Sequence, residues 1–456
     1  MSAVLLSLLS VVAVASPAAA AAPGAADIVR LVLPSGTRVV VLRDRSAPLV
    51  AARAVWSGGT RRETDELAGL SAVLAGAWTG GCGRLDTGAL ADELAADGAS
   101  MTGFAGRDTV GLGAEWSRAG WERGFDLLAD CASSPRFDPL AVEGARTRAL
   151  EAAARRAADP AWAALDLVER ELAGAATPTA PPVFEAGPTA LERVDARALR
   201  QHHRERYPIA AMTLVVVGDI DPGRVMARAR ARFGSAPRVR PPDRPAAPTA
   251  PPARREVYRR LDRGGVAVIA LAYPAVGRSH RDRAALEVAA ELIGGARAAL
   301  LADADRGSIV LHRACRPDDV TAALAALRAA VDRLRGPGPD EAEVRRAAGR
   351  LARARRAALA HAPQAAALLA LYELLGPGAE HAARHAASLD AVRAADVAAA
   401  ARRYLRPEVS VIATASPLLA SPEAARRLRG VVRRSSSNRA RPVRARPHKR
   451  QRARHR

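Results

Sequence analysis

Apolar residues alternate between two spacings along the chain, one typical of strands and one typical of helices. Residues 31–42 form an apolar run interrupted by a Pro-Ser-Gly turn, which predicts a hairpin. Residues 49–56 predict another strand, ended by Ser57-Gly-Gly59. From Leu70 onward the apolar residues recur at helical spacing, so a helix with one buried face is expected there. Strands and helices in this close succession predict an α+β fold.

The same pattern continues through the first half of the chain. We predict helices over residues 87–96, 121–132 and 140–157, and two strands within residues 99–116 joined at Gly106-Arg-Asp108.

The second half repeats the logic of the first. Residues 188–217 predict a capped helix followed by a buried strand, and residues 388–414 predict the same pair. Between the halves, residues 235–254 contain seven prolines and predict a stiff, extended linker. We therefore expect two homologous domains, 27–234 and 255–415.

Composition and charge add two expectations. Hydrophobic residues make up 49% of the chain but aromatic residues only 3%, so cores built from Ala, Leu and Val are expected. Half of the formal net charge of +22 lies in residues 433–456, which hold eleven Lys and Arg and no acidic residue. Such a block predicts a basic, disordered tail, taken as residues 421–456.

The N-terminus predicts export. Residues 1–22 are apolar and end in small residues, as in a secretory signal peptide, although no Lys or Arg precedes the apolar core. An uncleaved anchor or a mis-set start codon is the alternative. No later segment is a long uncharged apolar run, so we expect a soluble periplasmic or secreted protein. Of the three cysteines, Cys82 and Cys131 are the favoured disulfide pair, with three free thiols as the alternative.

The order of strand, Gly58-Gly59 turn, acidic loop, Gly69-Leu70 and helix resembles the active-site entry of the insulinase/pitrilysin metallopeptidases, family M16. The 31–42 hairpin and the block 185–234 resemble the same family, and the likeness covers about residues 27–415. The resemblance implies an α+β fold of two homologous domains, each an antiparallel sheet packed with helices on one face, arranged as a clam-shell.

In that family the helix carries His-x-x-Glu-His, in which two His bind zinc and the Glu activates water. These places fall here on Ala72, Ala75 and Gly76, none of which can bind a metal or move a proton. The third ligand of the family is a Glu on a later helix, and Glu151 lies at that spacing. We expect Glu151 to pair with Arg148 or Arg155 instead, and no zinc to be bound.

An edge strand that pairs with the substrate backbone is the family's second functional element. The resemblance places it on Ser100, Met101, Thr102, Gly103 and Phe104, where Gly103 is expected to loosen the edge. In the second domain, the family's substrate-contacting Arg and Tyr fall near Ala302 and Ile309, and neither is kept. That domain is expected to be shortened and to lack a hairpin before its next helix.

Two pairs of histidines are candidate metal ligands. His202 and His203 precede Tyr207-Pro208 and are expected to be packing residues. His381 and His385 share a helix face, but Arg384 stands where an inverted zinc motif needs Glu. We expect adventitious metal binding there at most.

These observations favour a non-catalytic M16 subunit that binds extended peptides beside a catalytic M16 chain. Two alternatives stay open: an active zinc metalloendopeptidase with unrecognised ligands, and a binder of anionic surfaces through its basic tail. No specific nucleic-acid binding is expected, because residues 433–456 carry no aromatic residue. A contact of that tail with anionic envelope material fits the first hypothesis.

Overall fold

The structure is a computed structural model that describes residues 27–46, 48–63, 67–173, 189–192, 194–238, 254–261, 264–294, 298–303 and 306–418. The predictions for the signal peptide 1–22, for the tail 421–456 and for most of the linker 235–254 lie outside these residues.

The described residues of the first half form six strands and eight α-helices. The strands are β1 (Ile28–Val32), β2 (Arg38–Arg43), β3 (Leu49–Ser57), β4 (Ser100–Ala105), β5 (Thr109–Ser117) and β6 (Thr213–Gly218). The helices are α1 (Leu70–Ala77), α2 (Thr87–Ala96), α3 (Trp121–Ser133), α4 (Pro139–Ala158), α5 (Pro160–Ala173), α6 (Thr189–Glu192), α7 (Ala196–Arg206) and α8 (Pro222–Phe233).

The described residues of the second half form five strands and six α-helices. The strands are β7 (Arg255–Arg260), β8 (Ala267–Val276), β9 (Ala298–Ala302), β10 (Arg306–Cys315) and β11 (Val411–Ser416). The helices are α9 (Arg283–Gly294), α10 (Val320–Arg335), α11 (Glu341–Leu359), α12 (Ala362–Leu375), α13 (Ala379–Asp390) and α14 (Ala394–Tyr404).

The helix starts follow from local sequence. Aspartate side chains accept a backbone N–H at the N-termini of α2, α4, α7, α8 and α11, which satisfies donors that have no partner within the helix. Proline occupies the first turn of α4 and α8, where its missing N–H costs nothing.

The two sheets have the same topology. Their strand orders are β1-β2-β6-β3-β5-β4 and β7-β11-β8-β10-β9, so β2 to β6 correspond to β7 to β11 apart from the added strand β1. The pairs β2–β6 and β7–β11 are parallel, and the other pairs are antiparallel. Helix α7 with β6 matches helix α14 with β11 at a constant offset of 198 positions. The predicted α+β class with two homologous units is confirmed.

One helix from each half packs on the sheet of the other half. The first sheet buries one face against its own helices, while its opposite face packs on α12 through side chains such as Val215 and Leu369. The second sheet packs its opposite face on α5, where Val168 meets Val268 and Ala270. Both sheets are therefore covered on both faces, whereas the sequence predicted helices on one face only.

A charged contact accompanies this exchange. Arg30 on β1 donates hydrogen bonds to Glu373 on α12, at 2.7 and 3.0 Å, and to Glu380 on α13, at 2.7 Å. The Glu373 side chain is only 6% exposed, so its carboxylate depends on Arg30 for compensation of its charge.

A hairpin in the second half corrects one expectation. Strands β9 and β10 pair antiparallel from Gly307–Ala302 to Leu311–Ala298, so the hairpin predicted to be missing is present. Ala302 and Ile309 lie on it and are buried. Within the described residues, one helix (α9) joins β8 to β9, whereas two helices join β3 to β4.

The favoured cysteine pair is bonded. A disulfide joins Cys82, in the loop after α1, to Cys131 on α3, while Cys315 is a free thiol. In the described part of the chain, no single helix is long and apolar enough to cross a membrane. Helices α11 and α12 taken together pass by length and composition, but they are bent by 105° relative to each other.

Candidate functional site

The start of α1 is held by an acidic side chain. The Glu63 carboxylate accepts hydrogen bonds from the backbone N–H groups of Gly69, at 2.8 Å, and Ser71, at 2.7 Å. A buried carboxylate at a helix N-terminus satisfies free donors and matches the positive end of the helix dipole. Gly69 adopts a φ of 86°, a left-handed conformation that glycine takes at little cost.

The three motif positions on α1 have different surroundings. Ala72 and Gly76 are exposed and one turn apart, so they share a face of the helix. Ala75 is buried, at 6% exposure. The sequence is therefore right that this helix presents small side chains, and the structure shows that only two of the three positions face solvent.

Ala75 is buried by the edge strand. A Cβ atom at Gly103 would lie 2.0 Å from the carbonyl oxygen of Ala75, so the backbones of β4 and α1 touch. Gly103 was expected to loosen the edge, but that expectation is wrong because the missing side chain permits this close packing.

Residues Ser100 to Phe104 lie on β4, which is at the end of the first sheet and, among the described residues, pairs with β5 alone. Ser100 and Thr102 are exposed, while the Met101 side chain is buried in the core. The half-buried Phe104 ring lies under the guanidinium of Arg53, with its centroid 5.1 Å from the guanidinium carbon. The edge thus offers its backbone and two hydroxyl side chains.

The two candidate partners of Glu151 on α4 behave differently. Glu151 is exposed and pairs with Arg155 at 3.6 Å, as expected for a helix surface. Arg148 instead extends to α1, where its guanidinium donates a hydrogen bond to the carbonyl oxygen of Gly76 at 3.3 Å. A positive charge therefore lies beside the place of the second motif histidine.

These residues do not fit a zinc ion. The side chains of Ala72, Ala75 and Gly76 have no atom that could bind a metal. The Glu151 carboxylate pairs with Arg155, and the Arg148 guanidinium would repel a cation. Across the ranges that the structure describes, no group of three or more His, Cys, Asp or Glu could hold a metal ion.

His202 and His203 lie in an aromatic cluster next to α1. The His203 ring packs edge-on against Trp78, with centroids 5.1 Å apart, and also meets Phe137 and Tyr207. Burial, followed by the charges of Arg206 and His202 respectively, lowers the pKa of each histidine to about 4. Both are packing residues, as the sequence predicts.

His381 and His385 are also engaged within the protein. His385 is buried and its Nε2 atom lies 2.9 Å from the Glu287 carboxylate on α9, while His381 stacks on Tyr372. Burial opposes ionisation of Glu287, but the hydrogen bond to His385 and the charge of Arg283 hold its pKa well below the usual range. Arg283, at 2.8 Å from Glu287, makes this cluster an ion-pair network.

Sequence reasoning missed three residues: Glu63, Arg148 as a partner of α1, and Glu287. Glu63 carried a usable signal, because an acidic residue shortly before a helix often caps it. The contact of Arg148 with Gly76 spans 72 positions in sequence, so no local pattern indicates it.

Two family models match the chain. Residues 38–177 match the model described as "Insulinase (Peptidase family M16)", and residues 193–351 match "Peptidase M16 inactive domain". An uncharacterized zinc protease of Streptomyces coelicolor is 24% identical over 357 residues, covering 72% of this chain and 76% of that protein.

Solved structures share the fold. A protease from Helicobacter pylori superposes with a TM-score of 0.72 at 16% identity, covering 86% of this chain and 99% of that one. A chain of complex III from Candida albicans gives a TM-score of 0.70 at 16% identity, covering 85% of this chain and 95% of that one.

Proposed function

Because the chain belongs to the M16 family of insulinase-like peptidases, we propose that it is a non-catalytic member that binds extended peptides beside a catalytic M16 chain. One observation carries the proposal. The three motif positions hold Ala72, Ala75 and Gly76, and a guanidinium rather than a set of ligands approaches them. A water-activating site needs several metal ligands and a general base, and neither is present at this place.

Peptide binding is assigned to β4. Its outer edge pairs with no strand among the described residues, so its backbone groups offer a template for an added strand. The hydroxyl side chains of Ser100 and Thr102 are exposed on this strand. An extended segment paired there would lie next to α1.

We propose that a partner chain performs the catalysis. The likeness to a chain of complex III supports this, since the fold is then compatible with a place in a multi-chain assembly. We also propose a periplasmic or secreted location. The Cys82–Cys131 disulfide supports it, because such bonds persist in oxidising compartments.

The experiment uses the purified full chain, stripped of metal and reloaded with zinc, with unstructured basic peptides as substrate. We expect no chelator-sensitive cleavage by the chain alone, and cleavage only when an M16 chain with an intact His-x-x-Glu-His motif is added. Chelator-sensitive cleavage by the chain alone that disappears in Glu151→Gln would overturn the proposal. Arg155→Ala, which changes only the exposed partner of Glu151, is the matched control.

A further inference from the structure

The guanidinium of Arg148 occupies a defined place at the end of α1. It bonds to the carbonyl of Gly76, within the last turn of the helix, where carbonyl groups lack partners inside the helix. Its Nη1 atom lies 3.2 Å from where a Cβ of Gly144 would be, and its Nη2 atom 3.8 Å from that of Gly76. Because Gly76 and Gly144 have no side chain, the guanidinium has room between α1 and α4.

In the part of the chain that the structure describes, no neighbouring acid compensates the charge of Arg148. Among the described residues no carboxylate lies within 4.0 Å of it, and Glu151, one turn further along α4, pairs with Arg155. A guanidinium has five N–H donors, and the Gly76 carbonyl takes one of them. The exposed side chain thus keeps donors for an external acceptor.

This guanidinium lies close to the strand proposed to bind peptides. Gly76 binds Arg148, and the preceding residue, Ala75, touches Gly103 of β4. An extended peptide advances about 3.3 Å per residue, so a segment paired with β4 passes close to the end of α1 within a few residues. A planar, bidentate donor favours a carboxylate as the acceptor there.

We infer that Arg148 forms a carboxylate-binding subsite, so that the peptides held by β4 carry a carboxylate at the place where catalytic relatives hold their metal. The inference rests on the proposed peptide binding. The carboxylate belongs either to the peptide C-terminus or to an Asp or Glu side chain. A single fixed charge thus stands in the place of a metal and selects for peptides that present a carboxylate at this position.

The test measures fluorescence anisotropy with four labelled peptides of one unstructured Ser/Val/Thr sequence, against the full chain. The first has a free C-terminal carboxylate and the second a C-terminal amide. The third and fourth are amidated and carry one interior Glu or Gln. We expect one carboxylate peptide to bind about tenfold more tightly than its neutral match, the low end of the range for a hydrogen bond to a charged group. The member of the series that does so identifies the source of the carboxylate.

Variants assign the effect to its residue. Arg148→Ala should abolish the preference while keeping the weaker binding, and Arg148→Lys should retain part of it, because an ammonium lacks the planar fork. Arg155→Ala, on the same helix, should behave as the wild type. Because Arg148 also bonds to α1, thermal unfolding of each variant shows whether the site is still folded.

Three results would overturn the inference. If the wild type binds the carboxylate and neutral peptides equally well, the proposed peptide binding is retained and the proposed role of Arg148 is wrong. A preference that persists in folded Arg148→Ala places the carboxylate elsewhere. Failure of all four peptides to bind would contradict the proposed peptide binding as well as the role of Arg148.

Discussion

Gly103 on β4 and Ala75 on α1 are in backbone contact, since a Cβ atom at Gly103 would lie 2.0 Å from the Ala75 carbonyl oxygen. We expect Gly103→Ala to displace the edge strand and to lower the free energy of unfolding by about 1–3 kcal/mol, as overpacking does. Urea unfolding followed by circular dichroism measures this. Gly265→Ala, at a position with open space around it, is the control and should be neutral. Equal stability of the two variants would show that β4 is free to move.

Rebuilding the zinc motif should fail. In the triple variant Ala72→His, Ala75→Glu, Gly76→His, the Glu would enter the buried contact with Gly103, and the second His would meet Ala145, 3.1 Å from the Cβ of residue 76. We expect less than one tightly held zinc per chain after dialysis, measured by mass spectrometry. Adding Arg148→Ala removes the repelling charge but leaves both steric conflicts. Stoichiometric zinc in the triple variant would contradict this picture of the site.

The contact between Arg30 and Glu373 should contribute to the stability of the whole chain. Arg30→Ala leaves a buried carboxylate without its cation, and we expect a loss of about 1–3 kcal/mol. Glu373→Gln in the Arg30→Ala background should restore part of it, because the charge is then gone. Arg123→Ala, which breaks an exposed pair with Glu93, should cost less than about 1 kcal/mol. Chemical unfolding of the wild type and these three variants measures the differences in the free energy of unfolding.

The disulfide closes a loop with a sequence separation of 49 between Cys82 and Cys131. Its loss should lower the free energy of unfolding by about 2–4 kcal/mol, since the unfolded chain regains conformational freedom. The expected result is a lower urea midpoint for Cys82→Ser/Cys131→Ser and for the reduced wild type. Cys315→Ser should leave the midpoint unchanged, as Cys315 forms no bridge.

Acid should destabilise the fold through its buried histidines. The pKa of His203 is about 4 when folded, below its ordinary value of 6.5, so the folded state resists protonation. This contribution is fully present above pH 6.5 and is lost as the pH falls from 6.5 towards 4, by up to about 1.4 kcal/mol per pH unit for one histidine.

Measurements of unfolding between pH 7 and 5 isolate this effect. The low pKa of Glu287 acts in the same direction but at lower pH: its stabilisation is present above the ordinary carboxyl pKa of 4.5 and is lost only as the pH falls below that value. We expect His203→Gln to flatten the dependence in this window. His361→Gln, outside the aromatic cluster, should not. A slope unchanged by His203→Gln would refute the assignment.

Local patterns predicted most elements of the fold, because apolar spacing and aspartate caps act over a few residues. The helix over Thr87–Ala96 and the edge strand around Thr102 are examples. The exchange of α5 and α12 was not predictable in this way, because an apolar helix such as α12 does not specify which sheet it covers.

The candidate site could likewise be predicted from the sequence only in part. The missing ligands at Ala72 and Gly76 are visible in the sequence alone. The roles of Arg148 and Gly103 depend on which helix and strand meet in space, and residues far apart along the chain decide that.

The exchanged helices also bear on the origin of the chain. One repeat by itself would leave an apolar sheet face uncovered, because the helix that covers this face belongs to the other repeat. An ancestral protein of a single repeat would therefore have existed as a symmetric pair, each copy lending a helix to its twin. Joining two such copies in one chain makes that pairing independent of concentration and lets the two copies differ. The added strand β1 and the single helix α9 are differences that such a fusion permits.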